Sequence, residues 1–103
     1  MLSFFKKLFP APVDYAMLVD KGGLVIDVRT ASEYDTGHIK GSKNIPLDRL
    51  RNEITRLKQL NVPIITVCRS GNRSGMAKSL LKGAGVEAYN GGPWNSLAHK
   101  LNK

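Results

Sequence analysis

A chain of 103 residues with one cysteine, 42% hydrophobic residues and a formal net charge of +8 has the size of one domain with one core. A single thiol excludes an internal disulfide and an all-cysteine metal site, and it suits a reducing compartment. No apolar run is long enough to span a bilayer. Residues 1–12 read as a stub, with Phe4, Phe5, Leu8 and Phe9 around Lys6 and Lys7. The stub lacks a long apolar core and a small-residue cleavage site, so it is not read as a signal peptide. It is too short for a stable membrane anchor. The expectation is a cytoplasmic protein with one domain over residues 13–103.

Strand-like and helix-like segments then alternate, the pattern of a mostly parallel α/β sheet. Val13 to Lys21 predicts a short helix stopped by Gly22-Gly23. Leu24-Val25-Ile26 predicts a strand. Thr30 predicts an N-cap with Glu33 as its capping-box partner. Gly37 and Gly41 mark a loop around His38. Lys43-Asn44-Ile45 predicts a brief extended piece. Leu47, Leu50, Ile54 and Leu57 give helical spacing over Leu47 to Leu60. Val62 to Val67 predicts a strand buried on both faces. Ser74 to Lys82 predicts a helix whose inner face is Met76, Ala77, Leu80 and Leu81. Val86 to Tyr89 predicts a last strand, and Trp94, Leu97, Ala98 and Leu101 predict the inner face of a last helix.

The chemistry concentrates at Cys68. This thiol ends the buried strand and opens the segment Arg69-Ser70-Gly71-Asn72-Arg73-Ser74, after which the helix begins. Backbone N–H groups in such a loop can converge on one point, and the helix end adds positive potential. Both favour a thiolate over a thiol. Gly71 permits the positive φ that an anion-binding loop often needs. Ser70 and Ser74 offer hydroxyls, with Ser74 expected to cap the helix. Arg69 and Arg73 are candidate anion contacts, Arg69 facing the mouth of the site and Arg73 bracing the loop. From Ile54 to Val86 there is no acidic residue, while Arg56, Lys58, Arg69, Arg73, Lys78 and Lys82 all lie there. Such a field attracts a small anion. A nucleic-acid partner is not expected, since no basic-aromatic stacking pattern, recognition helix or zinc spacing accompanies the charge. Arg29 and Glu33 are expected to pair, Asp27 to accept backbone N–H bonds, His38 to be a satisfied loop histidine and His99 to face outward.

Three segments in order resemble the single-domain rhodaneses, a family of sulfurtransferases. They are Leu24-Val25-Ile26-Asp27-Val28-Arg29 with its continuation through Gly37-His38-Ile39 to Pro46, the loop from Cys68 to Ser74, and Asn90-Gly91-Gly92-Pro93-Trp94. The resemblance runs from about Val13 to Leu101. It implies a three-layer α/β fold and a Cys68 persulfide that carries sulfur from thiosulfate or a similar anion to cyanide or a thiol, with no cofactor and no metal. A persulfide carrier or interaction module that takes sulfur from a protein donor is the alternative. Cysteine phosphatases and arsenate reductases share the loop design but use Cys-x5-Arg. Here Arg73 gives Cys-x4-Arg, and Ser74 takes the later position.

Overall fold

A computed structural model describes residues 12–103. The reading of the stub therefore lies outside the described residues, Pro12 excepted. Within them run α1 (Tyr15–Asp20), β1 (Leu24–Asp27), α2 (Ala31–Asp35), β2 (Lys43–Asn44), α3 (Leu47–Leu60), β3 (Ile64–Cys68), α4 (Asn72–Gly83), β4 (Ala88–Pro93) and α5 (Trp94–Leu101).

The four strands form one parallel sheet in the order β2-β1-β3-β4. All five residues of β3 are buried, as its apolar sequence predicts. Alternate strand residues feed two cores. Ile26 and Ile64 pack with Leu50 and Leu57 of α3 and Ala77 and Leu81 of α4. Val25, Ile65 and Val67 pack with Leu97 of α5, and α1 covers them through Tyr15, Leu18 and Val19. Helices thus lie on both faces, the three-layer α/β architecture expected. Because β1 is followed by its neighbour on one side and β3 by its neighbour on the other, the winding reverses between these two strands. A crevice at such a reversal, outside the strands' carboxyl ends, is where open α/β sheets bind ligands. Cys68 is the last residue of β3.

Several boundaries differ from the sequence reading. The helix α4 begins at Asn72, because Gly71 turns the chain at φ +101° and its carbonyl accepts the Gly75 N–H at 3.0 Å. Its buried face is Ser74, Ala77 and Leu81, while Met76 is 60% exposed and not inward. Strand β4 starts and ends later than Val86–Tyr89. Its pairing with β3 continues through Gly92 and Pro93, past an irregularity beside Thr66 and Val67. In α5, Leu97 is buried and Trp94, Ala98 and Leu101 are half-buried or flank it, the face the spacing predicts.

Among the described residues no helix is long and apolar enough to cross a membrane.

Candidate active site

The loop after β3 folds back over its own cysteine. The Gly71 N–H donates to Cys68 Sγ at 2.9 Å and the Ser74 N–H at 3.4 Å. The Ser74 hydroxyl lies 3.3 Å from the same sulfur. Cys68 itself is fully buried. Burial pushes its thiol up. The hydrogen bonds that reach the sulfur, those from the backbone N–H groups of Ser74, Gly71 and Ser70 among them, pull it down and win, leaving it below the usual thiol range. The sulfur therefore sits in a ring of donors at the first turn of α4, where an anion is favoured.

Ser74 does not cap the helix. Gly71 occupies the N-cap position with no side-chain bond, and Ser74 lies in the first turn with its side chain turned inward. Its hydroxyl donates to Asn90 Oδ1 at 2.7 Å. Asn90 also accepts the Gly92 N–H at 2.9 Å and donates from Nδ2 to the Gly71 carbonyl at 3.1 Å. One side chain in the middle of β4 thus ties down both the glycine and the serine that contact sulfur. Asn90 belongs to the third resemblance segment, but no role follows from its position in the sequence.

The two loop arginines separate in role. Arg73 turns away from sulfur and forms a forked pair with Glu33 of α2, Nη1 to Oε1 at 2.7 Å and Nη2 to Oε2 at 2.9 Å. The Arg73 bonds, then the Thr30 backbone N–H, hold the Glu33 carboxyl down at about 2. Glu33 also closes the expected capping box with Thr30. The expected Arg29–Glu33 ion pair is not formed. Arg29 instead grips Asp27, Nη2 to Oδ2 at 2.7 Å and Nε to Oδ1 at 2.9 Å, both residues being buried. It also donates to the carbonyls of Glu33 and Gly37. Asp27 accepts the Arg29 N–H, the backbone bond expected of it. The reason is topological: Arg29 precedes the N-cap Thr30, so its side chain runs inward along the strand end instead of outward along α2.

Arg69, Ser70 and Asn72 lie at the surface of the loop, all three exposed. Arg69 has no ion-pair partner among the described residues. The structure thus brings Cys68, Gly71 and Ser74 together at the sulfur and places Arg73 on the loop's flank. His38 is a satisfied loop histidine, its Nδ1 donating to the Tyr34 carbonyl at 2.8 Å and its ring stacked on Tyr34. His99 is exposed on α5, the outward position expected, and makes no side-chain hydrogen bond among the described residues.

A thiol at the carboxyl end of a parallel strand, ringed by backbone donors and followed at once by a helix, defines a class of cysteine-centred anion loops on α/β sheets. The sequence comparison narrows the class: residues 12–93 match the model of the rhodanese-like domain, and the chain belongs to that family. It is 34% identical over 89 residues to the thiosulfate sulfurtransferase GlpE of Ectopseudomonas mendocina, covering 85% of this chain and 79% of that one. It is 37% identical over 67 residues to the uncharacterized protein YqhL of Bacillus subtilis, 64% of this chain and 52% of that one. The chain thus spans about half the length of YqhL. Among solved structures, a rhodanese with anions from E. coli superposes with a TM-score of 0.68 at 32% identity, covering 75% of this chain and 93% of that one.

Proposed function

We propose that residues 13–103 act as one sulfurtransferase domain that moves a sulfane sulfur through a persulfide on Cys68. The observation that carries this reading is the convergence of the Gly71 and Ser74 N–H groups on one buried sulfur, at 2.9 and 3.4 Å.

Thiosulfate is the donor that fits. The Cys68 thiolate attacks its outer sulfur, a new S–S bond forms, and the old one breaks with its electron pair leaving on sulfite. The product is a Cys68 persulfide anion. A nucleophilic acceptor, cyanide or a thiolate, then takes the outer sulfur and returns the Cys68 thiolate. Two displacements on one covalent intermediate give ping-pong kinetics. The attacker is already an anion, so no general base is needed. The persulfide places its reactive atom about 2 Å beyond Sγ, nearer the exposed mouth of the loop. Arg69 at that mouth supplies the positive charge that receives the donor's sulfonate end. The short span from Cys68 to Arg73 leaves a cradle sized for a sulfur atom, not for a phosphoryl group.

Intact-mass spectrometry after incubation with thiosulfate tests the reading. A gain of about 32 Da that disappears on adding cyanide is the expected result. No adduct on an accessible thiol, together with sulfur uptake from a cysteine desulfurase protein, would replace thiosulfate with a protein donor and make the domain a carrier.

A further inference from the structure

The Ser74 hydroxyl sits between two acceptors, Cys68 Sγ at 3.3 Å and Asn90 Oδ1 at 2.7 Å. It has one proton. The orientation of the Asn90 amide decides where that proton goes, and two backbone groups fix the orientation. The Gly92 N–H can only donate, so the Asn90 atom 2.9 Å from it is the oxygen. The Gly71 carbonyl can only accept, so the atom 3.1 Å from it is the nitrogen. Asn90 Oδ1 has no proton to give, and the Ser74 hydroxyl must therefore donate to it. Toward sulfur the hydroxyl presents a lone pair. That geometry suits a thiol, whose S–H can donate to Oγ, but it gives nothing to a thiolate.

We infer that Asn90 is a positioning residue for the Cys68 thiolate: it holds the Ser74 proton away from sulfur, so the thiolate is stabilised by backbone N–H groups alone and keeps its nucleophilic strength. This rests on Cys68 being the nucleophile of the proposed reaction. The trade-off is general: each donor added to a thiolate stabilises it and lowers its intrinsic nucleophilicity. The charged groups packed around the sulfur do not make the same contribution. Asp27 at the end of β1 and Arg29 just after it neutralise each other, as do Glu33 of α2 and Arg73 of α4. Arg69 is exposed in the loop. None of these side chains donates a hydrogen bond to Sγ among the described residues.

The test follows the thiol directly, by ultraviolet thiolate absorbance and by iodoacetamide alkylation against pH, so it is read whether or not thiosulfate is a donor. Asn90→Ala frees the Ser74 proton to turn to sulfur. The expected result is a thiol pKa about one unit lower, the size of one charge-assisted hydrogen bond. The limiting alkylation rate at high pH should fall about threefold. Ser74→Ala should not raise the thiol pKa, and adding Asn90→Ala to it should leave that pKa unchanged. The inference is overturned if Ser74→Ala raises the pKa by about one unit, since the hydroxyl would then be donating to the thiolate. It is equally overturned if Asn90→Ala shifts the pKa by the same amount with and without Ser74. The Ser74→Ala result stands alone should Asn90→Ala fail to fold.

Discussion

Glu33 and Arg73, forty residues apart in sequence, are joined by two parallel bonds of 2.7 and 2.9 Å. The pair fastens the first turn of α2 to the first turn of α4, and so to the flank of the sulfur loop. Both side chains remain about one-third exposed, 35% for Arg73 and 32% for Glu33. Solvent screens such a pair, so its contribution is modest, about 1 kcal/mol despite the forked geometry.

Glu33→Gln isolates that contribution, because glutamine can still close the capping box with Thr30. The Glu33 carboxyl is held below its ordinary value of 4.5, at about 2. A depressed acid contributes its stability fully above the unfolded value and loses it as pH falls through the folded one. Wild type should therefore exceed Glu33→Gln by about 1 kcal/mol at neutral pH. The gap should close between pH 4.5 and pH 2. Urea midpoints across that window measure it, and a gap independent of pH would show that the ion pair is not its source.

Cys68→Ser should abolish the persulfide and all sulfur transfer while the domain stays folded. The serine oxygen can accept the Gly71 and Ser74 N–H bonds that now reach sulfur, so no donor is left unpaired. Intact mass after thiosulfate and far-ultraviolet circular dichroism read the two halves. Residual turnover in a folded Cys68→Ser variant would place the chemistry elsewhere.

Arg69→Ala should raise the apparent KM for thiosulfate about tenfold, the worth of roughly 1.4 kcal/mol of lost anion contact. Stability should change by less than about 0.5 kcal/mol, since the side chain is exposed. Arg73→Ala should show the opposite balance, a loss of stability with a smaller effect on KM. Steady-state kinetics with urea unfolding separates them, and an unchanged KM in Arg69→Ala would remove that residue from donor binding.

These contrasts show what the sequence makes legible. The strand ending in Cys68, the glycine that turns the loop and the Thr30–Glu33 cap are local, and each is set by residues a few positions apart. The partners of Arg29 and Glu33 are not. Spacing suggests that they pair with each other, yet Arg29 lies before the helix start and finds Asp27, leaving Glu33 free to meet Arg73 across the fold. Met76 fails for a related reason. The inward turn of Ser74 toward Cys68 and Asn90 fixes the rotation of α4, and that rotation carries Met76 outward. Asn90 is visible in the sequence only as part of a glycine-rich segment. Its contacts arise from the pairing of β4 with β3, which no short-range pattern encodes.

Gly91 and Gly83 provide a matched pair that tests how tightly this pairing is set. A Cβ at Gly91 would stand 2.9 Å from Ile65 Cγ2 and 3.1 Å from both Leu97 Cδ2 and the Thr66 carbonyl oxygen. The strand cannot relieve this by moving a flexible tip, because a backbone atom is among the contacts. Gly91→Ala should cost about 1–3 kcal/mol. It should also disturb the thiol, since Asn90 and Gly92 on either side hold the Ser74 hydroxyl network. At Gly83 nothing lies within 4 Å of the added methyl and φ is not positive. Gly83→Ala should therefore be neutral or stabilising by about 0.4–1 kcal/mol, through the lower entropy of the unfolded chain. Urea midpoints of the two variants, with the pH profile of Cys68 alkylation, make the comparison. Equal stabilities would mean that β4 can shift freely against β3, and then Asn90 could not hold its place beside the sulfur.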